Sequence, residues 1–90
     1  MKAKLLNLEE ALQIYELISE FLEKSTDMQE LPKIIGGKKY IELLMLLTGE
    51  NKETILKADQ KDRLIALLEG FKDNRLFDLP RLKVDGLYGR

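Results

Sequence analysis

The chain has 90 residues, a formal net charge of −1, no Cys and no His. Those values exclude a disulfide framework, thiolate or imidazole zinc sites, the usual general base at neutral pH, and a global field for nucleic acid or anionic membrane. With 44% hydrophobic residues, mostly Leu and Ile, beside 34% charged ones, the composition is that of a single globular domain rather than a disordered chain.

The first element is a helix. Asn7 followed by Glu10 forms a capping box, and Leu8, Ala11, Leu12, Tyr15, Ile18 and Leu22 recur at helical spacing as one stripe. Glu9, Gln13, Glu16, Glu20 and Glu23 gather on the opposite side, while Ile14, Leu17 and Phe21 widen the apolar arc beyond what one neighbour covers. Ser25-Thr26-Asp27 ends that pattern, and residues 25–37 read as a short helix or turn plus a linker, with Asp27 and Glu30 boxing its start. Pro32 stops a long helix, and Gly36-Gly37 breaks whatever precedes it.

A second long helix is expected from Lys38 to Thr48, closed by Gly49 as a left-handed cap. Its apolar residues point almost all round, with Glu42 its only acid, so this helix belongs at the centre of the fold. Asn51 caps a short helix through Leu56, with Ile55 and Leu56 docking inward. Asp59 caps another, whose apolar face is Leu64, Ile65, Leu67, Leu68 and Phe71. Asn74 starts a last turn carrying Leu76, Phe77 and Leu79, which Pro80 stops. The expected architecture is all-α: a compact bundle of four to five short helices over residues 1–80, then a flexible C-terminal tail over 81–90.

The constellations that carry chemistry are sparse. Glu16, Glu20 and Glu23 share an outward ridge without His, which is a solvated face rather than a metal or acid–base site. Gly36-Gly37-Lys38-Lys39 lacks the spacing and the preceding strand of a phosphate-binding loop. No catalytic, metal or cofactor residues are assigned, and the chain does not read as an enzyme. The stretch MKAKLLNLEEALQ is interrupted by polar residues as no signal peptide is, and no run of eighteen apolar residues exists to span a membrane. A cytoplasmic location is expected.

Binding remains. Ile14, Leu17 and Phe21 flank the first stripe, and Leu76, Phe77 and Leu79 adjoin a basic tail, so these six are the expected partner-binding residues. Phe21→Glu or Phe77→Glu is then expected to leave the domain folded and weaken binding. Residues 1–30 carry net −4 and residues 31–90 net +3, an asymmetry that suits head-to-tail self-association as well as ordinary solvated faces. The pair of helices after Asn51 has the size of a helix-turn-helix. Gln60, Lys61 and Arg63 could face DNA there, although Asp59 and Asp62 lie among them.

Three segments, LEEALQIYELISEFLEK, IELLMLLTGENKETILKADQKDRLIALLEGF and RLFDL, resemble in order and spacing the small tail assembly chaperones of long-tailed bacteriophages, over roughly residues 8–80. The resemblance implies a compact helical bundle acting in the infected cell or a prophage-bearing host. Its implied client is the tape measure protein, coated by several chaperone copies that help recruit tail tube subunits and then leave. It supplies no binding residues. A helix-turn-helix regulator and a generic helical adaptor are the alternatives.

Overall fold

The computed structural model describes residues 1–25 and 27–76. The described residues are all-α, with six α-helices and one 3₁₀ turn. They are α1 (Leu8–Leu17), α2 (Ser19–Lys24), the 3₁₀ turn Met28–Glu30, α3 (Leu31–Ile35), α4 (Gly37–Thr48), α5 (Lys52–Lys57) and α6 (Gln60–Asp73). The expected tail over 81–90 lies outside the described residues.

Helix α4 is the hub. It packs against α1, α3, α5 and α6. Tyr40, Leu43, Leu44 and Leu47 are buried within that cluster, and Ile41, Met45 and Leu46 are half-buried around them. Gly36, at φ 90, makes the break before the helix, and Gly49, at φ 75, caps its other end. Both positions lie in backbone space that a Cβ disfavours. Chain punctuation thus fixes the length of the central helix at both ends.

The capping box at α1 forms as its residues require. The Glu10 N–H donates to Asn7 Oδ1 at 2.8 Å, and the Asn7 N–H donates to Glu10 Oε1 at 3.1 Å. The single long first helix is instead two. Ile18, at φ −101 and ψ 7, separates α1 from α2, and the Ser19 hydroxyl donates to the Glu16 carbonyl at 3.0 Å. A hydroxyl drawing on a carbonyl of the preceding turn bends a helix. This break, with α3 as the short helix of residues 25–37, brings the helix number to six among the described residues.

The phase of the first stripe is also corrected. Ile14, Ile18 and Phe21 are buried, while Leu8 is 77% and Leu12 54% exposed. At about 100° per residue the full apolar arc runs from Leu17 to Leu12 with its midpoint near Ile18. The arc enters the core from its middle toward the Leu17 edge, which is half-buried, and the Leu8 and Leu12 edge stays outside. Phe21, at 2% exposure, is a core residue, and Phe21→Glu would place a carboxylate among buried side chains and undo the fold. Asp27 and Glu30 do not form a box either. Asp27 accepts from the Gln29 N–H, while Glu30 takes the Ser25 hydroxyl at 2.6 Å.

At the end of α6 the chain closes in a Schellman motif; the rest of the turn expected after Asn74 lies outside the described residues. The Leu76 N–H donates to the Phe71 carbonyl at 2.8 Å, and the Arg75 N–H donates to that of Lys72 at 3.2 Å. Arg75 adopts φ 57, the only positive φ at a non-glycine among the described residues, and Leu76 folds back to 2% exposure. Asn74 side-chain atoms then tie this end to the N-terminal segment. Oδ1 accepts from the Leu6 N–H at 2.8 Å, and Nδ2 donates to the carbonyls of Lys4 at 3.0 Å and Gly70 at 2.9 Å. The Lys4 N–H in turn donates to the Leu47 carbonyl at 2.8 Å, so residues 4–6 are held as a strap between α4 and α6.

Two stability predictions follow from these contacts. A Cβ at Gly70 would sit 2.8 Å from Leu47 Cδ2 in the closest part of the α4–α6 contact. Gly70→Ala should therefore lower stability by a net of about 1 kcal/mol, overpacking outweighing the gain in helix propensity, and thermal melting should show it as a fall of about 4–8 °C. Arg75→Gly relieves the left-handed strain and should raise the melting temperature, by about 0.5–1 kcal/mol of stability.

Candidate functional site

A groove of about 500 Å³ opens between α4, α5 and the start of α6. Its apolar lining is Tyr40, Ile41, Met45 and Leu56; its charged lining is Lys38, Lys52, Arg63 and Glu42. Leu56 is 51% exposed, an unusual position for a leucine beside a fully buried Ile55. Its placement has a clear cause. Arg63 Nε donates to the Ile55 carbonyl at 2.9 Å and Arg63 Nη2 to the Leu56 carbonyl at 2.8 Å. The guanidinium satisfies the last carbonyls of α5 and locks that short helix against α6. Asn51 fixes the other end of α5 by accepting from the Thr54 N–H at 2.8 Å. A six-residue helix held at both ends is a rigid wall for the groove.

The lining is mainly apolar and carries three cations against one carboxylate. Tyr40 is 8% exposed; burial pushes its phenol up from the ordinary value of 10.0, and the nearby Arg63 charge partly offsets that rise. A second, shallower depression of about 350 Å³ lies between α1 and α4, lined by Gln13, Glu16, Leu17, Lys39, Glu42 and Leu46. Its mixed polar lining suits water better than a hydrophobic guest.

Of the six residues expected from sequence to bind a partner, the structure brings Ile14, Phe21 and Leu76 into the core, where they are at most 2% exposed. Leu17 is half-buried against that core and lines the shallower depression. Phe77 and Leu79 lie outside the described residues. The exposed apolar residues are others: Leu8 and Leu12 form a row on α1 with Leu5 in the segment before it, and Ile65 and Leu68 lie one turn apart on α6. Sequence reasoning missed Leu56, since Ile55 and Leu56 both read as docking inward. The available signal was the shortness of α5, which can bury only one of two adjacent side chains on a single neighbouring surface.

Around the row, Glu9 and Glu16 are exposed, and Glu10 is ion-paired to Lys4 at 2.8 Å. The Lys4 ammonium, hydrogen-bonded to Glu10, holds that carboxyl below its ordinary value, helped by the Asn7 N–H. The outward ridge carries one further pair, Lys24 with Glu20 at 3.2 Å. Among the described residues no group of three or more Asp or Glu side chains is placed to hold a metal ion, and every buried side-chain N or O atom has a hydrogen-bond partner. No helix among them is long and apolar enough to cross a membrane. In the α5–α6 pair, Arg63 is committed to two carbonyls, which takes away one of the three groups a DNA-reading surface would use there.

No family model matches the chain, and neither a curated protein nor a solved structure matches it significantly.

The groove tyrosine gives a spectroscopic prediction. A phenol whose folded pKa exceeds its unfolded value favours the protonated state on folding. The associated stability is complete below about pH 10 and is lost as pH rises through the folded value. Ultraviolet titration should show a tyrosinate component above the ordinary range that disappears in Tyr40→Phe, and alkaline unfolding of that variant should begin at higher pH.

Proposed function

We propose that this chain is a protein-binding helical domain that acts as a tail assembly chaperone, holding an amphipathic helix of the tape measure protein in the α4–α5 groove. The observation that carries the reading is the groove itself: an open apolar trough with a rigid wall and a charged rim. Such a trough takes the apolar face of a helix, with anchors one turn apart falling beside Ile41, Met45 and Leu56. The client class and its partner in assembly, the tail tube protein, are those implied by the sequence resemblance to phage tail assembly chaperones.

The mechanism is mass action. A long helical client exposes apolar stripes that drive it to aggregate. Each bound domain removes one stripe from water and lowers the population of bare chain. A single groove of this size makes a weak contact, and many domains along one client raise the effective occupancy of each site. Weak individual binding also lets the domains leave when tail tube subunits take their places.

The test is co-expression with the tape measure protein encoded alongside, followed by pull-down. The client should be recovered in the soluble fraction with several copies of this chain. Leu56→Glu, at a half-exposed position that folding does not need, should weaken the complex at least about tenfold, since a carboxylate cannot enter an apolar contact without cost. A client that stays insoluble with the wild-type chain overturns the assignment. A salt-sensitive shift of random duplex DNA would favour the regulator instead.

A further inference from the structure

We infer that the groove holds a carboxylate receptor made of the Tyr40 hydroxyl and the free end of the Arg63 guanidinium. Its partner is an amphipathic helix that sets a glutamate or aspartate between apolar anchors. The inference rests on the groove being the helix-binding site proposed above, and it names the chemistry of the occupant. Tyr40 lines the groove at 8% exposure. Its hydroxyl has no hydrogen-bond partner among the described residues, yet no fully buried side-chain oxygen is left unsatisfied there. The oxygen therefore opens into the groove. An apolar guest covering that donor would leave it unmet, whereas an acceptor at the same place satisfies it.

Arg63 supplies the charge. Its Nε and Nη2 donate to the Ile55 and Leu56 carbonyls at 2.9 and 2.8 Å, which holds the guanidinium still. Nη1 has no partner among the described residues, and Arg63 lines the groove. It is also the positive charge that acts on the Tyr40 phenol, so the two groups share one corner. A carboxylate there meets a hydroxyl and a guanidinium that is already ordered, and little side-chain freedom is lost on binding. Gly37 and Tyr40 belong to the first turn of α4, whose cap Gly36 brings no side chain, so the positive end of that helix adds to the same corner.

Glu42, the groove's own carboxylate, does not fill this place. At about 100° per residue it stands on the far side of α4 from Tyr40, with Ile41 and Met45 between them. It makes no ion pair with Arg63 among the described residues. The guest helix is thereby defined. Its apolar side chains rest on Ile41, Met45 and Leu56, and its acid enters the Tyr40–Arg63 corner. The exposed Lys38 and Lys52 on the rim favour acids over bases along its flanks.

Fluorescence anisotropy with two labelled helical peptides of about 20 residues tests this. One has leucines a turn either side of a central glutamate, and its twin has glutamine there. The wild-type chain should bind the glutamate peptide at least about tenfold more tightly, because charge-assisted bonds are the stronger kind. Tyr40→Phe removes an oxygen that bonds to nothing else among the described residues, so the variant should still melt as a folded domain. It should bring the preference below about threefold, and change the affinity for the glutamine twin less. Equal affinity of the wild type for both peptides overturns the inference, as does a preference that Tyr40→Phe keeps in full. Absence of binding by either peptide at about 1 mM also overturns it. Leu56→Glu separates these outcomes from the functional reading. Where the wild type binds both peptides alike and that variant loses both, the groove is a helix site without a carboxylate receptor.

Discussion

Much in this fold follows from one helix whose apolar arc is far wider than its polar side. Between Gly36 and Gly49, α4 leaves Lys38, Lys39 and Glu42 exposed and offers Tyr40, Ile41, Leu43, Leu44, Met45, Leu46 and Leu47 over the rest of its circumference. Such a helix is stable only when wrapped. In a chain of 90 residues the wrapping must come from short pieces, because no segment is long enough to cover it alone. Hence α1, α3, α5 and α6 each take a side, and the loops between them are capped tightly enough to let each piece approach at its own angle. Gly70 marks the closest approach, where Leu47 fills the space a side chain would occupy.

Coverage by short pieces is never complete. A six-residue helix such as α5 hides Ile55 and leaves Leu56 outside; the first-helix arc hides Ile14 and leaves Leu8 and Leu12 outside. The exposed apolar surfaces are therefore by-products of wrapping a cylinder with segments too narrow to enclose it. The groove is the gap between two such segments, and Arg63 keeps it from closing by fixing α5 through backbone carbonyls rather than through packing.

The elements most plainly legible in the sequence were those set by local chemistry. Asn7 with Glu10, Asn51, Gly36 and Gly49 act through hydrogen bonds and φ values that depend on near neighbours alone, and the centrality of α4 followed from the breadth of its apolar arc. The misreadings arose where two apolar choices compete. Nothing local says whether Leu12 or Ile14 enters the core, because that depends on where α4 lies relative to the whole arc. The expected partner residues Ile14, Phe21 and Leu76 were buried for the same reason. The break at Ile18 was visible only as Ser19, a residue that is equally at home exposed on an unbroken helix. Asn74 read as the start of a turn because its long-range partners, Lys4 and Leu6, lie at the far end of the chain.

Asn74 is the only side chain among the described residues whose hydrogen bonds join positions about seventy residues apart, and it does so as an amide. An amide presents an acceptor and a donor at once. Its oxygen meets an N–H of the strap while its nitrogen meets two carbonyls. Hydrolysis to aspartate, a slow chemical change to which exposed asparagines are prone as proteins age, would keep the shape and replace the donor with a second acceptor. Two carbonyl oxygens would then face a carboxylate. Loss of a single nitrogen atom would take away the strap's bond at the Lys4 carbonyl while its ties at the Leu6 N–H and at Leu47 remain, so the age of a molecule would be written into one joint of the segment that leads into α1.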